Sequence, residues 1–210
     1  MAQTQGLRVL CFGASITAGL YNSGCQHHPY AIRLQDRLQA ALPSYRVQVE
    51  SDGLSGDHVV GGEYLSRLKP HLDAATGEGR VLDWLIFQGG GNDLLSGEEP
   101  AAIFEAMKKL WQMSLQGGTK VMALTVTDTD DQRPQTRESY RKLNEMIKGH
   151  QHENFFVADL FSKIPYLGMS QETRKIVWDD GLHFRPAGYD MIGNAVAERL
   201  LEVIETACNS

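Results

Sequence analysis

The sequence predicts an α/β fold, a three-layer α/β/α sandwich around a five-stranded parallel sheet. Two observations support this prediction. Short apolar segments alternate with longer amphipathic segments along the chain, and this alternation is typical of βαβ units. The short segments are also rich in Val, Ile, Leu and Phe, as expected of strands that are covered on both faces. For such a sheet we expect the flavodoxin-like strand order 2-1-3-4-5.

Five short apolar segments are predicted to be the strands of this sheet. Most of them are too brief to be helices. In chain order they are Arg8–Phe12, Arg46–Glu50, Asp83–Gln88, Lys120–Thr125 and Phe155–Ala158.

The longer segments are predicted to be helices that pack on the sheet. They are Pro29–Ala41, Tyr64–Ala75, Pro100–Leu115, Pro134–His150 and Pro186–Ala207. In the first, Ile32 and Leu38 belong to the apolar residues at helical spacing, and Leu65 and Leu68 play the same part in the second. Pro70 is expected to kink or split the second helix, because proline removes a backbone donor and clashes with the preceding turn.

Length and composition indicate one ordinary globular domain, residues 1–210. The chain is 42% hydrophobic and 22% charged, which is enough apolar content for one substantial core. Its formal net charge is −6, with acidic and basic residues interspersed. Because there is no basic stripe, we expect neither a nucleic-acid partner nor binding to an anionic membrane surface. The oligomeric state stays open.

The N-terminal segment and the cysteines make further predictions. The sequence has no apolar run of about 18 residues and no basic leader with an apolar core, so we expect a cytoplasmic protein. Cys11, Cys25 and Cys208 are widely scattered, which argues against a disulfide framework and a structural zinc site. His27 and His28 near Cys25 lack a third ligand at a recognised spacing. We therefore expect no metal and no cofactor.

Polar, glycine-containing turns follow three of the predicted strands. Ser15 follows the first strand, Gly53 and Gly56 follow the second, and Gly89–Asp93 follows the third. A fourth polar segment, Asp179–Tyr189, precedes the last helix. In open parallel sheets, ligands bind beyond the carboxyl ends of the strands where the strand order reverses. The four segments are therefore expected to meet at one edge of the sheet.

Three residues in these turns form a complete set for nucleophilic catalysis. Asp180 precedes His183 by three residues, so its carboxylate can accept a hydrogen bond from imidazole Nδ1–H and leave Nε2 free as a base. A serine hydroxyl needs such a base to attack a carbonyl at neutral pH. We therefore predict that Ser15, His183 and Asp180 act together.

The same turns contain candidate donors for an oxyanion hole. An attacked carbonyl develops a negative oxygen that is stabilised by donors already in position. Gly56 can offer a backbone N–H without a side chain in the way, and Asn92 can offer its side-chain amide. Ser15 can add its own backbone N–H at the start of a helix.

Each of these residues also has a simpler interpretation. Ser15 is a common type of helix cap, and Asn92 is a common turn residue. Gly53 is predicted to be a turn glycine with φ > 0. Asp179, one residue before Asp180, is a second candidate to orient His183.

Four sequence blocks together resemble the SGNH hydrolase superfamily, also called GDSL lipases and esterases. The blocks are "FGASITAG", "GLSGD", "GGGND" and "DGLHFRPAGY", and they occur in the family's order from Phe12 to Tyr189. The first block is not the G-x-S-x-G turn of α/β-hydrolases, because residue 17 is Thr. Each block alone is a weak signal, but four in order are specific.

The resemblance implies a role for each matched position. It implies Ser15 as the nucleophile, Gly56 and Asn92 as members of the oxyanion hole, His183 as the general base and Asp180 as its orienting partner. It also implies a serine esterase that hydrolyses small carboxylic esters through an acyl-enzyme. Thioesters, lysophospholipids, O-acetylated sugars and acyl transfer use the same chemistry.

One position departs from the family pattern, because Ala14 stands where the family has Asp immediately before the serine. That Asp is outside the catalytic set, so the departure concerns how firmly the serine turn is braced. A catalytically inactive relative is therefore an alternative. Another is a flavodoxin-like module in which the turn around Ser15 and Thr17 binds a phosphate of FMN.

Apolar residues next to the motifs are candidates for a substrate pocket. An apolar residue there can equally belong to the core. The candidates are Tyr21, Leu94, Trp178 and Phe184, with Tyr30 and Leu95 beside them.

Overall fold

The structure, a computed structural model, describes residues 5–77 and 82–208. Its strands are β1 (Gln5–Gly13), β2 (Leu20–Tyr21), β3 (Gln26–His27), β4 (Tyr45–Gly53), β5 (Trp84–Phe87), β6 (Lys120–Leu124) and β7 (Phe155–Ala158). The main sheet is parallel throughout with the order β4-β1-β5-β6-β7. The predicted five-stranded sheet and its flavodoxin-like order are therefore confirmed.

The helices surround this sheet. They are α1 (Ser15–Ala18), α2 (Tyr30–Ala41), α3 (Tyr64–Gly77), α4 (Gly91–Leu95), α5 (Pro100–Gln116), α6 (Pro134–Gly149), α7 (Leu160–Lys163), α8 (Gln171–Val177) and α9 (Pro186–Cys208). All five predicted helices are present to within two residues at each end.

Two apolar clusters, one on each face of the sheet, explain why the central strands are apolar throughout. In β1, Val9 and Cys11 belong to the cluster that includes α2 and α9, whereas Leu10 and Phe12 belong to the cluster that includes α3, α5 and α6. Successive side chains of a strand point to opposite faces, so β1 contributes to both clusters. This arrangement is the predicted three-layer sandwich.

The buried faces of two helices differ from the prediction. Ile32 and Leu65 are 53% and 54% exposed, so assigning them to the core-facing stripes was wrong. In α2 the buried stripe contains Leu34 and Leu38, and in α3 it contains Leu68. Ile32 lies two positions from Leu34, which places it on the other side of the helix.

Several short elements and one proline also differ from the sequence-based expectation. The two-residue strands β2 and β3 form a separate antiparallel ribbon, and α1, α4, α7 and α8 have seven residues or fewer. These segments are too short for a periodic apolar pattern.

Helix α3 contains Pro70 in its interior without being split there, and Pro70 lies on the exposed surface.

Gly53 ends β4 in extended backbone, so the predicted positive φ is wrong. Close packing, and not the backbone conformation, requires a glycine at this position. A Cβ at this position would lie 2.7 Å from the carbonyl oxygen of Ala14 and 2.8 Å from the Cα of Ala18. Real Cβ atoms do not approach other atoms so closely. Strand β4 therefore packs directly against the backbone of α1.

We predict that Gly53→Ala lowers the free energy of unfolding by about 1–3 kcal/mol, because the added methyl group forces the two backbones apart. Gly6→Ala is the matched control, since Gly6 lies in the paired strand β1 and a methyl group added there would meet no other atom within 4 Å. That control should change the stability by no more than about 0.5 kcal/mol. Urea denaturation measures both. Equal stability of the two variants would contradict the packing argument.

Candidate active site

Ser15 follows the carboxyl end of the internal strand β1, where the chain enters the four-residue helix α1. Ser15 is only 7% exposed. The chain turns here because Gly13 ends the strand and Ala14 precedes α1 with non-helical dihedrals. The buried strand thus places Ser15 at the edge of the sheet where ligand binding is predicted.

The turn around Ser15 is held by its neighbours although residue 14 is Ala. The backbone N–H of Leu54 donates a hydrogen bond of 3.1 Å to the carbonyl oxygen of Gly13. The hydroxyl of Ser51 donates to the carbonyl oxygen of Thr17 at 3.1 Å. Together with the packing of α1 on Gly53, these bonds attach the serine turn to β4.

His183 and Asp180 form a hydrogen-bonded chain with this serine. The distance between His183 Nε2 and Ser15 Oγ is 2.9 Å, and the distance between His183 Nδ1 and Asp180 Oδ2 is 2.8 Å. An ionised carboxylate only accepts hydrogen bonds, so Nδ1 carries the proton and Nε2 is the acceptor for the serine hydroxyl.

Asp180 is held in its charged form by the same turn. Its Oδ1 accepts hydrogen bonds from the backbone N–H groups of His183 and Leu182 at 2.7 and 3.0 Å. Burial raises the pKa of the Asp180 carboxyl, but the hydrogen bonds from His183 and Leu182 outweigh it and lower the pKa below its ordinary value. The carboxylate is therefore ionised at neutral pH.

The alternative orienting residue, Asp179, points elsewhere. Its Oδ2 accepts a hydrogen bond of 2.7 Å from the backbone N–H of Asn22, and its Oδ1 lies 3.5 Å from the guanidinium of Arg185. Asp179 thus attaches the loop after β2 to the segment that carries His183.

Two aromatic residues support the segment that carries His183. Trp178 and Phe184 are joined by an antiparallel bridge, and their ring centroids are 4.0 Å apart. They are only 3% and 0% exposed within the core. Their predicted role in substrate binding is therefore wrong, because a side chain buried on all sides offers no surface to a ligand.

The candidate oxyanion-hole residues come from the turns after β4 and β5. Gly56 has φ +81° with open space beside it, a conformation that glycine adopts without strain. The Asn92 side-chain nitrogen donates a hydrogen bond of 2.8 Å to the carbonyl oxygen of Asp57. Since an amide nitrogen carries two hydrogens, one remains for another acceptor. This bond joins the two turns directly.

Asp93 also connects these turns, although sequence reasoning assigned it no role. It is fully buried, and its two carboxylate oxygens accept hydrogen bonds from the backbone N–H groups of Val59 and Val60 at 3.0 and 2.8 Å. The signal was present in the sequence as the last letter of "GGGND". Asp93 therefore positions the α4 turn that carries Asn92 against the loop that carries Gly56.

Arg67 of α3 connects β1, β4 and the Gly56 loop. Its guanidinium donates to Asp57 Oδ2 at 2.7 Å, to the carbonyl oxygen of Gly13 at 3.2 Å and to Asp52 Oδ1 at 2.5 Å. His71 contacts the other Asp52 oxygen at 2.8 Å. Burial raises the pKa of Asp52, but the bonds from Arg67 and His71 lower it overall. One arginine thus braces both the serine turn and the glycine loop.

A small cavity lies beside Ser15 and Asn92. Its volume is about 20 Å³, and its other walls include Val126, Tyr140 and Leu182. None of these three was a candidate from the sequence. Val126 and Tyr140 belong to no recognised motif, and Leu182 lies within the fourth block at a position to which no role was assigned.

The remaining candidates for a substrate pocket lie outside this cavity. Leu94 is 8% exposed and packs in the core, and Tyr30 is fully buried. Tyr21 is half-buried against the core, whereas Leu95 is 46% exposed. Tyr21 and Leu95 are thus the two that have surface available for a ligand.

Comparison with known proteins identifies similar sequences and folds. Residues 11–191 match the GDSL-like lipase/acylhydrolase family, so the match covers all four blocks. No curated protein sequence matches the chain. Within residues 5–77 and 82–208, no helix combines the length and apolar character needed to cross a bilayer.

Several solved structures share the fold. A lipolytic protein of the G-D-S-L family from Veillonella parvula has 21% identity, with 91% of this chain and 97% of that chain covered and a TM-score of 0.71. A lipase/acylhydrolase from Enterococcus faecalis has 24% identity and a TM-score of 0.65, with 91% of this chain and 94% of that chain covered. An acetylxylan esterase from Geobacillus stearothermophilus has 18% identity and a TM-score of 0.65, with 95% of this chain and 96% of that chain covered.

We predict that Arg67→Met lowers the free energy of unfolding by about 3 kcal/mol or more, because Asp57 becomes a buried carboxylate without its cation. The Asp57 side chain is only 3% exposed. Lys69→Met, on the same helix, is the control, since the Lys69–Asp73 pair is 60% and 63% exposed. We expect that variant to lose less than about 1 kcal/mol. Urea denaturation at neutral pH measures both, and similar losses would show that Arg67 is not a brace.

Proposed function

The chain belongs to the GDSL-like lipase/acylhydrolase family, and from that premise we propose that it is a serine esterase acting on small carboxylic esters. The observation that carries the proposal is the 2.9 Å contact between Ser15 Oγ and His183 Nε2. It is supported by the 2.8 Å contact between His183 Nδ1 and Asp180. In this proposal Ser15 is the nucleophile, His183 the general base and Asp180 its orienting partner.

The first half of the reaction forms an acyl-enzyme. Ser15 Oγ attacks the ester carbonyl carbon while His183 Nε2 takes the hydroxyl proton. The tetrahedral intermediate then collapses, its bond to the alcohol oxygen breaks, and His183 returns the proton to that oxygen. The Asp180 carboxylate stabilises the imidazolium during both transfers.

The negative oxygen of the intermediate is assigned to donors from three turns. These are the backbone N–H groups of Ser15 and Gly56 and the second amide hydrogen of Asn92. Each such donor contributes roughly 2.7–4 kcal/mol to transition-state stabilisation in serine hydrolases. In the second half of the reaction, water attacks the acyl carbon, His183 takes its proton, and Ser15 leaves with a proton from His183.

The contact between serine and imidazole argues against the FMN-binding alternative. A phosphate loop uses backbone N–H groups and hydroxyls and has no need of the Asp180–His183 pair. The catalytically inactive alternative rested on Ala14. The contacts of Gly53, Ser51 and Arg67 hold the serine turn without an acidic side chain at position 14, which supports an active site over an inactive one.

Related acyl chemistry shares the first half of the reaction. Thioesterases, lysophospholipases and acyltransferases differ from simple esterases in the leaving group or in the acceptor that clears the acyl-enzyme. The acetylxylan esterase among the structural neighbours makes acetylated sugars a substrate class to assay.

We predict that a fluorophosphonate forms a stoichiometric adduct on Ser15, because the paired imidazole removes the hydroxyl proton. The adduct should be absent in Ser15→Ala and at least about a hundredfold slower in His183→Ala, since general-base catalysis contributes roughly 10²–10⁴. Peptide mass spectrometry locates it. The structure holds a second close pair, Ser96 Oγ and His58 Nε2 at 2.9 Å, which serves as an internal comparison. An adduct on Ser96 instead of Ser15 would refute the assignment.

We predict that Asn92→Ala lowers kcat about 10²–10³-fold with little change in KM, because the lost donor acts on charge that is present mainly in the transition state. Steady-state kinetics on a p-nitrophenyl ester measures both constants, and circular dichroism checks the fold. A loss confined to KM would contradict the oxyanion role.

A further inference from the structure

The cavity beside Ser15 points to the acyl group that the enzyme accepts, an inference that rests on the proposed esterase function. We infer that this cavity receives the acyl chain of the substrate and that its small size and firmly held wall restrict the enzyme to acetate esters. Ser15 and Asn92 line the cavity, so a carbonyl placed between nucleophile and oxyanion donor directs one substituent into it.

The cavity volume matches a methyl group. A cavity needs roughly 10–15 Å³ to hold one water molecule, and the volume here is about 20 Å³. A methyl group is of similar size to a water molecule, so the acetyl methyl fits. Each further methylene must displace atoms of the wall, and overpacking of a close-packed interior costs about 1–3 kcal/mol.

Two buried hydrogen bonds hold the part of the wall that Val126 forms. The side-chain amide of Asn144 holds both backbone groups of Val126, since its oxygen accepts from the Val126 N–H at 2.8 Å and its nitrogen donates to the Val126 carbonyl at 3.0 Å. Asn144 is 3% exposed and Val126 is 2% exposed. Tyr140, one helical turn before Asn144 on α6, supplies the adjacent wall. Moving Val126 would therefore break two buried hydrogen bonds.

The alcohol half of the substrate meets a different surface. Gly56 and its neighbour Leu54 are exposed, and Leu95 after Asn92 is 46% exposed. The side of the oxyanion turns that faces solvent can therefore accept large alcohols.

A series of p-nitrophenyl acetate, butyrate and hexanoate tests this inference by kcat/KM. One methylene in an apolar pocket changes kcat/KM about 10–200-fold, so we expect the wild type to prefer acetate over butyrate by at least about tenfold. Val126→Ala, which enlarges the cavity, should raise the butyrate-to-acetate ratio at least about tenfold. Tyr140→Phe, which keeps the ring and removes the hydroxyl, should raise the same ratio severalfold.

Ile147→Val is the matched control, because Ile147 is equally buried on α6 but does not line the cavity. This variant should leave the ratio unchanged. Equal wild-type activity on all three esters, or a ratio that both cavity variants leave unchanged, would overturn the acetate inference. If fluorophosphonate still labels Ser15 in that case, the esterase proposal stands without it. If no ester is cleaved and no adduct forms, the esterase proposal itself fails.

Discussion

The candidate active site depends on one hydrogen bond between side chains that are 168 residues apart in the chain, Ser15 and His183. The parallel sheet makes this contact possible, because it brings the carboxyl ends of its strands to one edge. Strand β1 presents the serine there, and the segment before α9 returns to the same edge with the imidazole. The Trp178–Phe184 bridge then holds that segment against the core. The contact distance is set by the packing of the whole domain.

Buried carboxylates connect the parts of the site that backbone pairing leaves unjoined. Asp93 attaches the α4 turn to the loop after β4, and Asp57 joins that loop to Arg67. Arg67 reaches the carbonyl oxygen of Gly13 at the end of β1. The serine turn and the candidate oxyanion turns therefore share one network, in which removing Arg67 leaves the buried Asp57 carboxylate without its cation. This network holds the serine turn, in which residue 14 is Ala, through contacts that come from Arg67 and Asp57.

The sequence was sufficient to predict the sheet and its order, because each buried strand is an apolar segment and each crossover has a long amphipathic one. It was also sufficient to nominate the residues of the site, because their motifs occur in order. Arg67 could not be recognised, since an arginine on an amphipathic helix usually faces solvent and only tertiary folding surrounds it with Asp52 and Asp57. Trp178 and Phe184 were assigned to a pocket because apolar residues beside a motif have the same pattern whether they line a site or support it. Val126, in turn, lies in a segment without any motif.

The proposed reaction requires that the serine hydroxyl, the imidazole and the oxyanion donors surround one small volume. The most direct test is a crystal structure of the covalent adduct between the protein and a methylphosphonate, whose phosphoryl oxygen imitates the negative oxygen of the intermediate. We predict that this oxygen lies within about 3.2 Å of Asn92 Nδ2 and of the Gly56 backbone nitrogen, with the methyl group against Val126. A phosphoryl oxygen directed toward solvent, with Asn92 bonded only to Asp57, would contradict it.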